Sequence, residues 1–73
     1  MKKEAIGTNA GIVWRLLDVK KAGLTLEEIA SQTELDTLNV AAAIGWLSRE
    51  EKLWTSENKN GETLYSLFHD YYY

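Results

Sequence analysis

Leu24–Trp54, LTLEEIASQTELDTLNVAAAIGWLSREEKLW, is the stretch whose reading decides the fold. It opens on Thr25-Leu26-Glu27-Glu28, the pattern of a capping box. In that pattern the Thr25 hydroxyl accepts from the Glu28 amide, and the Glu28 carboxylate accepts from the Thr25 amide. Leu26, Ile29 and Ala30 follow as a short apolar face, so the spacing predicts a helix of about two turns ending near Gln32. Thr33-Glu34-Leu35 then reads as a turn, with Leu35 as its buried plug. Asp36 is placed to cap a further helix running to about Glu51. At about 100° per residue, Val40, Ala43, Ile44 and Leu47 fall on one side of that helix, which must pack on its neighbours.

On the amino-terminal side, a first helix is expected from about Asn9 to Ala22. Thr8 or Asn9 supplies the N-cap oxygen. Ala10, Val13, Trp14 and Leu17 recur at helical spacing and are assigned to the core. Lys20 and Lys21 complement the dipole in the last turn, and Gly23 supplies the left-handed residue after it. On the carboxy-terminal side, Asn60-Gly61 signals a type I′ hairpin turn. It joins a strand near Leu53–Glu57 to one near Glu62–Phe68, both rich in aliphatic and aromatic residues. Trp54 is expected half exposed and packing rather than stacking on bases. The register leaves open which of Trp54 and Tyr65 faces inward. The expected whole is a single α+β domain over residues 1–73, three helices followed by a two-stranded hairpin.

The totals narrow the classes of function. Seventy-three residues make one domain. A chain of this length buries only about 60% of its unfolded surface, so good packing or a partner must supply stability. There is no cysteine, which removes disulfides and thiolate ligands. His69 is the single histidine, so no metal site or cofactor is expected. No apolar run suits a signal peptide or a membrane span, and a cytoplasmic protein is expected. Eight basic and eleven acidic residues give a net charge of −3, without the basic surplus usual in nucleic-acid binders.

The carriers Leu24-Thr25-Leu26-Glu27-Glu28-Ile29-Ala30, Leu35-Asp36, Val40, Ile44, Leu47 and Lys52-Leu53-Trp54 stand in an order that resembles the winged helix-turn-helix superfamily. More narrowly, Ile6-Gly7, Asn9-Ala10-Gly11, Val13-Trp14 and Gly45-Trp46-Leu47-Ser48-Arg49-Glu50 resemble a small bacterial winged-helix family of unknown function. The resemblance covers nearly the whole chain. It implies a transcription-regulator-like module that binds double-stranded DNA through the third helix and the hairpin wing. Glu34 stands where the superfamily often has glycine. On this reading Thr37, Asn39, Arg49, Lys52 and Lys59 touch phosphates or base edges, with Lys2 and Lys3 as further cations. A dimer is expected, because one acidic monomer offers few phosphate contacts.

The side of the third helix opposite the core points elsewhere. It holds Leu38, Ala42, Gly45 and Arg49, with Ala41 and Ser48 on one flank and Trp46 on the other. Direct base readout needs Arg, Lys, Asn or Gln at the groove edges. Only Arg49 qualifies, near the carboxy-terminal end, whereas reading residues usually stand near the amino-terminal end. Glu50, Glu51, Glu57 and Glu62 are interspersed with the cations of this region. The other class of function is therefore a protein interface, for a second copy or another partner, formed by Leu38, Ala42, Gly45 and Trp46. The terminal Tyr71, Tyr72 and Tyr73 form a possible second patch, suited by an apolar ring and a polar hydroxyl. Against this, Ala41 to Ala43 are also simply good helix formers. His69 and Asp70, adjacent on a strand, point to opposite sides and make no proton-transfer pair. No nucleophile motif, phosphate loop or HExxH is present, so an enzyme is not expected.

Overall fold

The computed structural model describes residues 3–67, with side chains from Ala5 onward. Helix α1 spans Lys3–Val19, α2 spans Leu26–Thr33 and α3 spans Thr37–Arg49. Strands β1, Leu53–Glu57, and β2, Thr63–Leu67, form an antiparallel hairpin. Three helices and a carboxy-terminal wing are the architecture expected of a winged helix-turn-helix.

The two predicted caps form. Thr25 N–H donates to Glu28 Oε1 at 2.8 Å, and Glu28 N–H donates to Thr25 Oγ1 at 3.2 Å. Asp36 Oδ1 accepts from the Asn39 amide at 2.7 Å and starts α3. Between them Glu34 takes the left-handed conformation, φ 64°, that closes α2. Thr33 Oγ1 donates to the Ile29 carbonyl and accepts from the Leu35 amide, which ties the turn to the helix it follows.

The first helix differs from expectation at both ends. It begins at Lys3, so Thr8 and Asn9 lie within it rather than capping it. It ends at Val19, so Lys20 and Lys21 fall in the following turn. Gly23 is left-handed, φ 92°, but as the end of a Lys20–Gly23 turn, its amide bonded to the Lys20 carbonyl. Its purpose lies in what comes next. Leu24 exchanges two backbone hydrogen bonds with Tyr65, at 3.0 and 2.8 Å, extending the hairpin by a one-residue bridge. A Cβ on Gly23 would stand 3.2 Å from the Tyr65 carbonyl oxygen. This link between the helices and the wing has no sequence signal beyond Gly23 itself.

At the other end of the helical region, α3 stops at Arg49, two residues short of the expected Glu51, because Glu51 is left-handed with φ 58°. The wing turn also differs. Asn60 does not have positive φ; Gly61 does, at 79°. The Gly61 amide bonds to the Asn58 carbonyl, so the turn spans Asn58–Gly61 with Gly61 as its left-handed last residue, and is not type I′ over Asn60-Gly61. Asn58 organises it, its Oδ1 accepting from the amides of Asn60 and Glu62.

The core is aliphatic. Leu17, Ile29, Val13 and Val40 are the largest fully buried side chains, joined by Ala10, Leu24, Ala43, Ile44, Leu47 and Leu67. Leu35 packs against this cluster partly buried, as the turn's plug. Trp14 does not belong to it: the expected core residue is 39% exposed. The register pairs Leu53 with Leu67 and Thr55 with Tyr65, and Tyr65 packs on the core while Trp54 is 57% exposed.

Candidate functional site

Helix α3 holds most of the candidate residues, and its orientation is set by Val40, Ala43, Ile44 and Leu47, all buried. That pins Leu38, Ala42, Gly45 and Arg49 to the outer side of one continuous helix. Leu38 is 70% exposed, an isobutyl group standing in solvent. Gly45 and Arg49 are exposed and Ala42 is half-buried. Ala41 and Ser48 on the flank are exposed as well. No heavy atom lies within 4 Å of where a Gly45 Cβ would stand, so packing within this chain does not require glycine there.

The residues expected to touch DNA are placed less coherently. Thr37 is the exposed first residue of α3, while Asn39 is half-buried, its backbone N–H donating to the Asp36 cap. Arg49 and Lys52 are exposed close together in sequence at the end of α3, the Lys52 amide bonded to the Leu47 carbonyl. Lys59 is exposed in the wing turn. It lies past the end of β1, which spans about 13 Å from Leu53 to Glu57 at about 3.3 Å per residue. Glu50, Glu51, Glu57 and Glu62 are exposed along the same path. With charges of both signs interleaved at these separations, the field over the region is weak. Lys2 and the expected interface residues Tyr71, Tyr72 and Tyr73 lie outside the described residues.

Trp46 is placed differently from the other expected interface residues. It is half-buried, packs on the core, and with Trp14 of α1 lines an open groove of about 240 Å³ between α1 and the end of α3. Gly7 and Gly11 also line it, as do Glu50 and Lys52. The sequence does contain the signal for this groove. Gly7, Gly11 and Trp14, spaced four and three, share one side of a helix, but assigning Trp14 to the core hid it.

Among the described residues no helix is long and apolar enough to cross a membrane. The family model described as a winged helix-turn-helix domain (DUF2582) matches residues 1–67. The solution NMR structure of protein BT2368 from Bacteroides thetaiotaomicron is similar, with a TM-score of 0.77 and 31% identity, covering 100% of this chain and 99% of that one. No curated protein matches the chain.

Proposed function

Given that this chain belongs to the winged helix-turn-helix domain family DUF2582, we propose that it is an association module in which the outer side of α3 contacts a second copy of itself. The observation that carries this reading is the makeup of that side: an exposed Leu38, small residues at Ala42 and Gly45, and Arg49 as its one charge. Small residues let two helices approach closely. A two-fold axis passing between residues 42 and 45 sets Ala42 of one copy against the partner's Gly45. It also sets Leu38 against the stem of the partner's Arg49, whose guanidinium then nears Glu34 and Asp36. The acidic start and basic end of α3 thus make the pattern self-complementary, as an isologous contact requires.

Sedimentation equilibrium over a range of concentrations tests this reading. The wild-type chain is expected to approach twice the monomer mass, and Ala42→Glu, which buries a carboxylate in the contact, is expected to stay at the monomer mass. A wild-type chain that remains monomeric at millimolar concentration overturns the reading.

Double-stranded DNA is the second reading, favoured by the family and by the exposure of Thr37, Arg49, Lys52 and Lys59. Binding through phosphates would weaken steeply with salt. A duplex that binds at low salt, is released as salt rises, and binds less well to Lys59→Glu would put DNA association first.

A further inference from the structure

The groove between α1 and the end of α3 is built of three chemically distinct parts. Its floor is Ala10 and Leu47, both members of the aliphatic core. Its walls are the indoles of Trp14, 39% exposed, and Trp46, half-buried. Its rim carries one carboxylate and one ammonium group, Glu50 and Lys52, both exposed. Gly7 and Gly11 complete the α1 side. Glycine weakens a helix relative to alanine, yet nothing lies within 4 Å of where a Cβ would stand at either position. No neighbouring element therefore requires these glycines, and they leave open space over the helix backbone beside Trp14.

Size and chemistry restrict what suits this site. A volume of about 240 Å³ lies below the range of about 300–1,000 Å³ usual for ligand pockets, so a small ligand is implied. Two indoles beside bare backbone suit one flat ring, packed offset or edge-to-face. The rim asks for more than a ring. Glu50 is the C-cap of α3, and the Lys52 amide closes the helix on the Leu47 carbonyl. Glu51, between them, is left-handed and does not line the groove. This closure brings opposite charges, two residues apart in sequence, to one rim. Among the described residues the ion pair is Lys21 with Asp18, so Glu50 and Lys52 are not paired with each other. A ring that bears a cation and an anion close together at one end matches both walls and rim. A free aromatic α-amino acid has that layout.

We propose that the α1–α3 groove binds a free aromatic α-amino acid. Its ring packs between Trp14 and Trp46 over Gly7 and Gly11, its carboxylate meets Lys52 Nζ, and its ammonium group meets the Glu50 carboxylate. The site is separate from Leu38, Ala42 and Gly45 on the outer side of α3, and it goes beyond association through that side. It gives the two helix glycines a purpose, since a side chain at either position would take up the space of the ring. Because the groove is made by two helices of the folded chain, its ligand stabilises the fold by mass action.

The test is a titration of the isotopically labelled full chain with L-phenylalanine, followed by amide and indole NMR. An open site and a small ligand imply a Kd on the order of 1 mM. Saturable shifts of the Trp14 and Trp46 indole N–H signals are expected. The Trp54 indole and the Leu24 and Tyr65 amides should stay in place. Phenethylamine lacks the carboxylate and 3-phenylpropionate lacks the ammonium group. Each is expected to bind about fivefold more weakly, the upper worth of one exposed ion pair. Gly11→Leu fills the slot and is expected to abolish the shifts without lowering Tm, since leucine is the better helix former and its Cβ meets no neighbour. The absence of saturable shifts at about ten times that Kd would overturn the proposal, as would a Trp54 shift of equal size, which marks contact with any exposed ring. Either single-charge analogue binding as tightly as L-phenylalanine would overturn it by removing the role of the rim. Undiminished binding to Gly11→Leu would overturn it by placing the ring elsewhere.

Discussion

Glu34 is where a local rule of chain geometry is broken. A left-handed conformation brings the Cβ of an L-residue close to its own carbonyl, at a cost of about 1–2 kcal/mol. Glu34 adopts it at φ 64°, with its side chain exposed. The adjoining caps hold it there, since α2 must end and Asp36 must start α3 within two residues. Glycine would relieve the strain while adding freedom to the unfolded chain, and the two effects partly offset. Glu34→Gly is expected to raise stability by up to about 1 kcal/mol, seen as a rise of several degrees in Tm by circular dichroism. Glu34→Ala keeps the Cβ and is expected to gain nothing. An equal gain from alanine would trace the effect to charge and not to backbone conformation.

The elements whose sequence signals were local were legible from the sequence. The capping box at Thr25 and Glu28 and the Asp36 cap each need only three or four adjacent residues, and both formed where expected. The buried side of α3 was legible for the same reason, because helical period alone selects Val40, Ala43, Ile44 and Leu47. What failed depended on partners distant in sequence. Thr8 and Asn9 have the chemistry of a cap, but the helix continues through them to Lys3. Trp14 has the spacing of a core residue, but the buried positions of α1 are Ala10, Val13 and Leu17, and Trp14 falls to one side of them. That leaves the indole at the edge of the groove. In the wing, Asn-Gly suggested a two-residue turn, yet Asn58 captures two amides with its side chain and selects a longer one. Asn58→Ala removes both acceptor bonds. The expected result is faster amide exchange at Asn60, Glu62 and their strand neighbours, with exchange in α1 and α3 unchanged. Uniformly faster exchange would mean that the wing and the helices open together through the Leu24–Tyr65 bridge.

Across the whole molecule, the distribution of aromatic area is what most constrains function. Aromatic side chains ordinarily dominate cores. Here the core is built from leucine, isoleucine, valine and alanine, while Trp14 and Trp54 are exposed and Trp46 and Tyr65 are half-buried. A domain of this length has a stability of about 4–11 kcal/mol by the usual per-residue range. It can therefore gain appreciably from covering such surface, and any partner that binds only the folded chain adds to its stability by mass action. If a second copy covers the outer side of α3, unfolding is coupled to dissociation. Tm is then expected to rise by several degrees when the protein concentration is raised 100-fold. Scanning calorimetry of the wild-type chain and of Ala42→Glu at matched concentrations checks this. The variant should show a Tm independent of concentration, equal to that of the dissociated wild-type chain apart from the intrinsic effect of the substitution. Because Ala42 is only half-buried and is not part of the aliphatic core, that intrinsic effect should be small. A wild-type Tm that does not move with concentration would mean that no second copy is held at the temperature where the chain unfolds, and that any pairing through α3 ends before unfolding begins.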